Sequence, residues 1–228
     1  MNLFDDLLNV NKWNSFLSTK LESNFLSKKE IKELTLFISE KRYLPICKLI
    51  VSSEYEFTIP RKVIINRTGK NKKRIVYSYT DEEVIILKYI NYLLYDYDEM
   101  FSDNLYSFRK NKSVKEAIHK IQKIGNMYAY KVDISNYFNS IPIDRLLLKL
   151  KEDIDKELYK LLFEILTNKK VSYNNELLIE EKGIMAGVPV SAFLANFYLK
   201  NMDKYFDNNN ILYFRYADDI IKILIHIF

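Results

Sequence analysis

The sequence predicts an α+β fold, and three observations support this prediction. Apolar residues recur at helical spacing in the N-terminal part, as in Ile31, Leu34, Phe37 and Ile38. Further along the chain, apolar runs separated by turn residues predict antiparallel hairpins. Only 4 Gly and 4 Pro occur, against 18 Tyr and 14 Phe, so we expect regular elements that pack through aromatic side chains.

Capping signals predict where several helices begin. Ser27 precedes the second helical pattern, and Thr80 stands before three acidic residues that favour the first turn of a helix. The segment Ser113-Val114-Lys115-Glu116 has the form of a capping box. A further long helix is predicted from Pro189 to about Phe206.

Four stretches have the pattern of strands or hairpins. They are residues 57–77 with a turn at 66–71, residues 127–132 leading to Asp133, residues 171–179 around Asn174-Asn175, and the strand-turn-strand around Asp218-Asp219.

Composition narrows the class of protein. The chain has 228 residues, of which 48% are apolar and 29% charged, which is typical of a globular protein with its own core. A single cysteine, Cys47, excludes a disulfide framework and a cysteine-based zinc site. The start resembles no signal peptide, and no apolar run approaches the length of a membrane span. We therefore expect a cytoplasmic protein without membrane association.

Basic residues are concentrated in one stretch. The net charge of +5 is modest, yet residues 61–74 contain seven basic side chains and no acid. For a single lysine in this stretch, a solvated surface position is the more common outcome. As a group, these charges favour binding to the phosphates of a nucleic acid or nucleotide.

Three acidic residues form the candidate metal site. Asp218 and Asp219 are adjacent at a tight turn, where two carboxylates repel each other unless a cation lies between them. Asp133, at the end of a predicted strand, is the natural third acid. A few carboxylates together with substrate phosphates are the usual ligands of Mg²⁺. Taken singly, Asp133 could be a helix cap and Asp218-Asp219 an ordinary turn.

Four segments together resemble the reverse transcriptases, particularly the bacterial branch of group II intron, retron and abortive-infection enzymes. In chain order they are Ser107-Phe108-Arg109 with Ser113-Val114, Lys131 to Phe138, Gly183 to Ser191 continuing to Leu194-Ala195-Asn196, and Tyr216-Ala217-Asp218-Asp219. Their order and spacing agree with the family over about residues 57–225.

The resemblance implies an RNA-directed DNA polymerase with a right-hand architecture of fingers and palm, in which helices back an antiparallel palm sheet. It implies residues 1–56 as an N-terminal helical extension, 57–126 as fingers and 127–228 as an incomplete palm. Two Mg²⁺ ions are expected, with an RNA template, a DNA or RNA primer and dNTPs as partners. The implied catalytic residues and metal ligands are Asp133, Asp218 and Asp219, and Ile134 is a further ligand.

The resemblance also implies residues that contact the nucleotide or primer. Phe138, five positions after Asp133, corresponds to the steric gate that excludes a 2′-hydroxyl. The other implied contacts are Lys73, Arg74, Arg109, Gly187 and Tyr216. For Phe138 an ordinary core position is the alternative, and for Gly183 and Gly187 it is a packing or turn role.

The sequence departs from the family at three points, of which one is Asn139, where intron enzymes often have Asp. Met185-Ala186-Gly187 stands where many members have Pro-Gln-Gly, which leaves open whether synthesis is templated. The chain ends at Phe228, nine residues after Asp219, so we expect the thumb to be missing. A truncated or split product with a separate thumb or accessory chain is one interpretation. The alternative functions are a catalytically impaired nucleic-acid-binding fragment and a metal-dependent nuclease. A bacterial retroelement and an antiphage defence system are both compatible contexts.

Overall fold

The computed structural model describes residues 3–23, 25–66, 73–125, 127–181 and 183–224. Its α-helices are α1 Leu3–Leu8, α2 Val10–Glu22, α3 Lys28–Ser39, α4 Tyr43–Val51, α5 Asp81–Leu93, α6 Val114–Ile124, α7 Tyr137–Ser140, α8 Ile143–Asp153, α9 Lys156–Thr167, α10 Ser191–Tyr198 and α11 Lys200–Asn208. Its strands are β1 Arg61–Asn66, β2 Lys73–Ser78, β3 Tyr128–Asp133, β4 Lys170–Tyr173, β5 Glu176–Ile179, β6 Tyr213–Tyr216 and β7 Asp219–Leu224. A 3₁₀ helix, Leu94–Met100, follows α5.

The chain divides into two compact units. The first unit contains Met1–Leu93, Ile143–Glu181 and Ala186–Val190, and the second contains Leu94–Pro142, Lys182–Met185 and Ser191–Phe228. Each unit is therefore assembled from segments that are far apart in sequence. The predicted division at residues 57 and 127 follows the linear order of the chain and stays a prediction.

The first unit contains a sheet with the strand order β2-β1-β4-β5. Both predicted hairpins are present, because β1 pairs antiparallel with β2 and β4 pairs antiparallel with β5. A short parallel pairing at Arg61 and Ser172 joins the two hairpins. Most of the predicted turn at 66–71, with three of the seven basic residues, lies outside the described residues.

Aromatic side chains form the core of the first unit. The Trp13 ring is stacked against Tyr43 and Tyr89, with ring centroids 4.3 and 3.7 Å apart. The Trp13 indole donates a hydrogen bond to the carbonyl of Leu7 at 2.9 Å, so its polar atom is satisfied within the core.

The capping signals at Ser27 and Ser113 are confirmed, since each side chain accepts a hydrogen bond from a backbone amide at the start of α3 and α6 respectively.

The second unit contains an antiparallel sheet with the strand order β3-β7-β6. On one side, α6 contributes Ala117 to a buried cluster with Tyr106, Phe214 and Ile223. The Phe206 ring of α11 packs edge-on against Tyr213 of β6, with centroids 4.9 Å apart. The predicted antiparallel sheet backed by helices is therefore present in this unit.

The predicted long helix from Pro189 to Phe206 is wrong in its continuity. Helix α10 ends at Tyr198 and α11 begins at Lys200, with Leu199 at φ −91° and ψ 3° between them. No glycine or proline marks this break in the sequence. Asp203 of α11 is buried against Arg215 of β6, a long-range contact that local sequence patterns do not contain.

Within the part of the chain that the structure describes, none of the helices combines the length and the apolar character needed to cross a bilayer.

Candidate active site

Strand register brings the three predicted acids to one end of the sheet in the second unit. In the antiparallel pairing of β3 with β7, Asp133 lies opposite Asp219. In the hairpin of β6 and β7, Tyr216 lies opposite Asp219, which leaves Ala217 and Asp218 as a two-residue turn. The last residue of β3, the hairpin turn and the first residue of β7 are consequently neighbours.

The side chains of these acids converge. One carboxylate oxygen from each of Asp133, Asp218 and Asp219 lies within 4.8 Å of the other two. Asp133 is exposed, and the other two are partly buried. The Ile134 amide donates to the carbonyl of Asp218 at 3.3 Å, which connects the segment after β3 to the turn. This arrangement presents hard oxygen ligands to one small volume, as a divalent cation requires.

Lys131 places an ammonium group beside the acids. Residues two apart in a strand share a face, so Lys131 lies on the same face of β3 as Asp133. Its Nζ is 2.8 Å from an Oδ of Asp219. The hydrogen bond and the charge of Asp219 raise the pKa of the Lys131 amine above its usual value, so it stays protonated. Sequence reasoning missed this contact, although strand alternation could have indicated it.

Comparison with known families decides the assignment. The family described as reverse transcriptase (RNA-dependent DNA polymerase) matches residues 61–224, which is more than half of the chain. The chain belongs to the reverse transcriptase family. The predicted resemblance is thereby confirmed, and with it the α+β fingers-and-palm fold expected for the chain.

Curated relatives of this reverse transcriptase include a protein named for an intron and one named for a retron. A putative COX1/OXI3 intron 2 protein of Saccharomyces cerevisiae is 29% identical over 166 residues, covering 72% of the chain and 19% of the relative. The Retron Ec73 reverse transcriptase of Escherichia coli is 29% identical over 134 residues, covering 51% of the chain and 38% of the relative. The chain thus spans only about a fifth of the yeast intron protein's length.

A solved structure shares the fold. A partial Cas6-RT-Cas1–Cas2 complex matches 98% of the chain and 38% of its own chain, with a TM-score of 0.50 and 17% sequence identity. At this identity, the likeness concerns the fold alone.

Phe138 lies on the short helix α7, which begins four residues after Asp133. Its ring is partly buried and stands edge-on to Tyr137, with centroids 6.0 Å apart. The Tyr137 hydroxyl donates to the carbonyl of Ala195 at 2.5 Å and anchors α7 to α10. Burial raises the pKa of Tyr137, so this hydroxyl stays a donor. Phe138 is therefore carried on a helix with a fixed attachment.

The two glycines of the third segment are in close contact with backbone of the reverse transcriptase itself. A Cβ at Gly183 would lie 2.1 Å from the carbonyl oxygen of Phe138, and one at Gly187 would lie 2.8 Å from that of Tyr77. Both glycines also have positive φ angles, of 26° and 97°. The close approach found here is internal packing, so the nucleotide contact predicted for Gly187 gains no support from this geometry.

Arg109 is engaged inside the second unit. Its guanidinium makes a two-pronged ion pair with the carboxylate of Asp98, with both distances 2.8 Å. It also donates to the carbonyls of Ser102 and Leu105, and only 5% of its side chain is exposed. Because these bonds occupy the guanidinium, the geometry does not support the triphosphate contact predicted for Arg109.

The other side chains predicted to contact the nucleotide or the primer are exposed to solvent. Lys73 and Arg74 begin β2 in the first unit and are open to solvent. Lys62, from the same basic stretch, is paired with Glu180 instead. Tyr216 is 38% exposed, and its ring is tilted against that of Phe108 at 6.4 Å.

Proposed function

We propose that this chain is the catalytic core of an RNA-directed DNA polymerase, which transfers a nucleotide from a dNTP to a primer 3′-hydroxyl. One observation carries the proposal: in a member of the reverse transcriptase family, the carboxylates of Asp133, Asp218 and Asp219 converge within 4.8 Å at adjoining strand ends. The expected substrates are an RNA template, a DNA or RNA primer, and dNTPs.

The residues present fit a pair of Mg²⁺ ions. Three carboxylates in one small volume form an anionic, all-oxygen donor set, and Lys131 already supplies one positive charge to it. Asp133 and Asp218 would hold both ions, with Asp219 and the carbonyl oxygen of Ile134 completing the ligand set. When bound, Mg²⁺ makes the primer hydroxyl more acidic and neutralises the charge that develops as pyrophosphate leaves.

Further side chains are assigned to the substrates in this proposal. Phe138 lies on α7, which Tyr137 anchors to α10, and its ring excludes the 2′-hydroxyl of a ribonucleotide by steric conflict. Tyr216 precedes the turn with its exposed ring available to the primer end. Lys73 and Arg74 contribute positive charge toward the triphosphate, since phosphate binding favours exposed cations. The relatives named for an intron and a retron support a role in a retroelement. An antiphage defence system is the alternative context in this proposal.

A primer-extension assay with Asp218→Asn tests the proposal. The wild-type chain should extend a primer on an RNA template with dNTPs in Mg²⁺ and stop when the metal is chelated. Asp218→Asn should lower incorporation by about 1,000-fold, because the metal stabilises the transition state by several kcal/mol. Asp5→Asn, a matched change at an exposed carboxylate of α1, should retain incorporation.

Three results would contradict the proposal. Incorporation that survives Asp218→Asn would reject the proposed site. Metal-dependent cleavage of the nucleic acid without extension would indicate a nuclease. Binding of template and primer with no incorporation in either Mg²⁺ or Mn²⁺ would indicate a chain that binds nucleic acid without catalysis.

A further inference from the structure

A buried polar network lies directly behind the acidic turn, entirely within the second unit. Arg215 and Asp203 are 0% and 1% exposed, and the guanidinium donates to both carboxylate oxygens. Arg215 is thereby neutralised in the interior, where an unpaired charge would be very unfavourable. The same guanidinium also donates to the carbonyls of Ala217 at 3.1 Å and of Asn196 at 3.4 Å.

Ser107 completes this network from another part of the chain. Its hydroxyl accepts a hydrogen bond from the Ala217 amide at 2.8 Å and donates to the Asn196 side-chain oxygen at 3.1 Å. The Asn196 amide in turn donates to the Ser107 carbonyl at 2.8 Å. Ser107 and Asn196 are 0% and 1% exposed, so these bonds form out of contact with water.

Ala217 needs such support because of its backbone conformation. Its φ is +55°, in the left-handed region that is unfavourable for alanine and accessible to glycine. The network binds both backbone polar groups of Ala217: its amide donates to the Ser107 hydroxyl, and its carbonyl accepts a hydrogen bond from the Arg215 guanidinium. The next residue is Asp218, so the conformation of Ala217 sets the direction in which Asp218 leaves the turn.

We propose that Ser107 and Arg215 are positioning residues for the metal site, and that they act by holding Ala217 in its left-handed conformation. The inference rests on the function proposed above and assigns a role to side chains that touch neither metal nor substrate. Loss of the Ser107 hydroxyl frees the Ala217 amide, the turn relaxes, and Asp218 no longer converges with Asp133 and Asp219.

Mn²⁺ binding, followed by electron paramagnetic resonance on the whole chain, tests the proposal without requiring catalysis. Ser107→Ala should weaken Mn²⁺ binding by about tenfold, the lower end of the effect expected when a residue that orients a metal ligand is lost. Ser191→Ala is the matched control. Ser191 is also a buried serine of the second unit, and its hydroxyl donates to the Met185 carbonyl at 2.8 Å without contacting Ala217. Its Mn²⁺ affinity should equal that of the wild type.

A second substitution tests whether Ser107 acts through the backbone conformation of Ala217. Glycine adopts a positive φ without the cost that alanine incurs. Ala217→Gly in the Ser107→Ala background should therefore restore several-fold of the lost Mn²⁺ affinity. If Ser107→Ala does not fold, Ser107→Cys keeps the side-chain shape with a weak acceptor and should give a smaller loss of the same kind.

The outcomes distinguish this inference from the proposed function. Wild-type affinity in folded Ser107→Ala, or an equal loss in Ser191→Ala, would overturn the positioning role while leaving the metal site in place. Failure of Ala217→Gly to restore any affinity would also overturn it. Mn²⁺ binding that is unchanged in Asp218→Asn would reject the metal site itself, and the inference would fall with it.

Discussion

At the residue scale, Lys131 places a protonated amine against a carboxylate that we propose as a metal ligand. Its Nζ lies 2.8 Å from an Oδ of Asp219, and an incoming cation has to displace it. Lys131→Met should therefore strengthen the apparent Mg²⁺ affinity in primer extension by about two- to fivefold, the modest effect expected of an exposed ion pair. A magnesium titration of the initial rate measures this change.

Two control variants separate charge from position. Lys131→Arg keeps the positive charge and should leave the magnesium dependence close to that of the wild type. Lys222→Met removes a lysine from β7 at the position opposite Tyr130, which is the other face of the sheet. A shift in magnesium affinity for Lys222→Met equal to that for Lys131→Met would indicate a general effect of net charge.

At the scale of one element, the buried carboxylate of Glu83 accepts hydrogen bonds at the start of α5. Glu83 is 1% exposed and accepts hydrogen bonds from the backbone and hydroxyl of both Thr58 and Thr80. Burial acts to raise the pKa of Glu83, but these hydrogen bonds outweigh it and hold the pKa below the ordinary value of 4.5. A carboxylate with a lowered pKa stabilises the folded state above its unfolded pKa, and this contribution is lost as the pH falls through the folded value.

Glu83→Gln should lower the free energy of unfolding by about 2 kcal/mol at pH 7, the range for hydrogen bonds to a charged group. The difference from the wild type should begin to shrink as the pH falls below 4.5, where Glu83 of the unfolded chain takes up a proton, and should be lost as the pH falls through the lower pKa of Glu83 in the folded state. Denaturant unfolding between pH 3 and pH 7 measures it. Glu82→Gln is the matched neighbour: Glu82 pairs with Arg42 at the surface and should give a much smaller change. A difference that does not vary with pH would contradict this account.

Local sequence patterns predicted most of the helices and strands, because capping residues, turn residues and hydrophobic periodicity all involve residues that are close together in the chain. The hairpin of β4 and β5 is an example, since Asn174 and Asn175 both adopt positive φ angles, of 52° and 65°, as asparagine tolerates in a tight turn. The convergence of Asp133 with the later acids could be expected because all lie at strand ends. The contacts of Ser107 could not, because its hydroxyl meets an amide 110 residues away and no local pattern records such a pairing.

At the scale of the whole molecule, the distribution of charge determines how the protein binds a polyanion such as a nucleic acid. Its 35 basic residues exceed its 30 acidic residues by only five, so binding depends on which cations are free of internal partners. Lys62 is paired with Glu180, and their side chains are 15% and 14% exposed. Arg74 is exposed on β2 of the same hairpin. We therefore expect these two basic residues of one hairpin to behave differently.

Arg74→Gln should lower the salt dependence of nucleic acid binding. Each phosphate contact adds about 0.7 to 0.9 to the magnitude of the slope of log K against log salt, so loss of one contact reduces the slope by that amount. Fluorescence anisotropy with a labelled RNA–DNA hybrid between 50 and 200 mM NaCl measures it. Lys62→Gln should keep the wild-type slope and instead lower the unfolding temperature, because it leaves Glu180 without its partner in a largely buried position. A reduced slope for Lys62→Gln together with an unchanged slope for Arg74→Gln would reverse the assignment, and the ion pair with Glu180 would then have to open when nucleic acid binds.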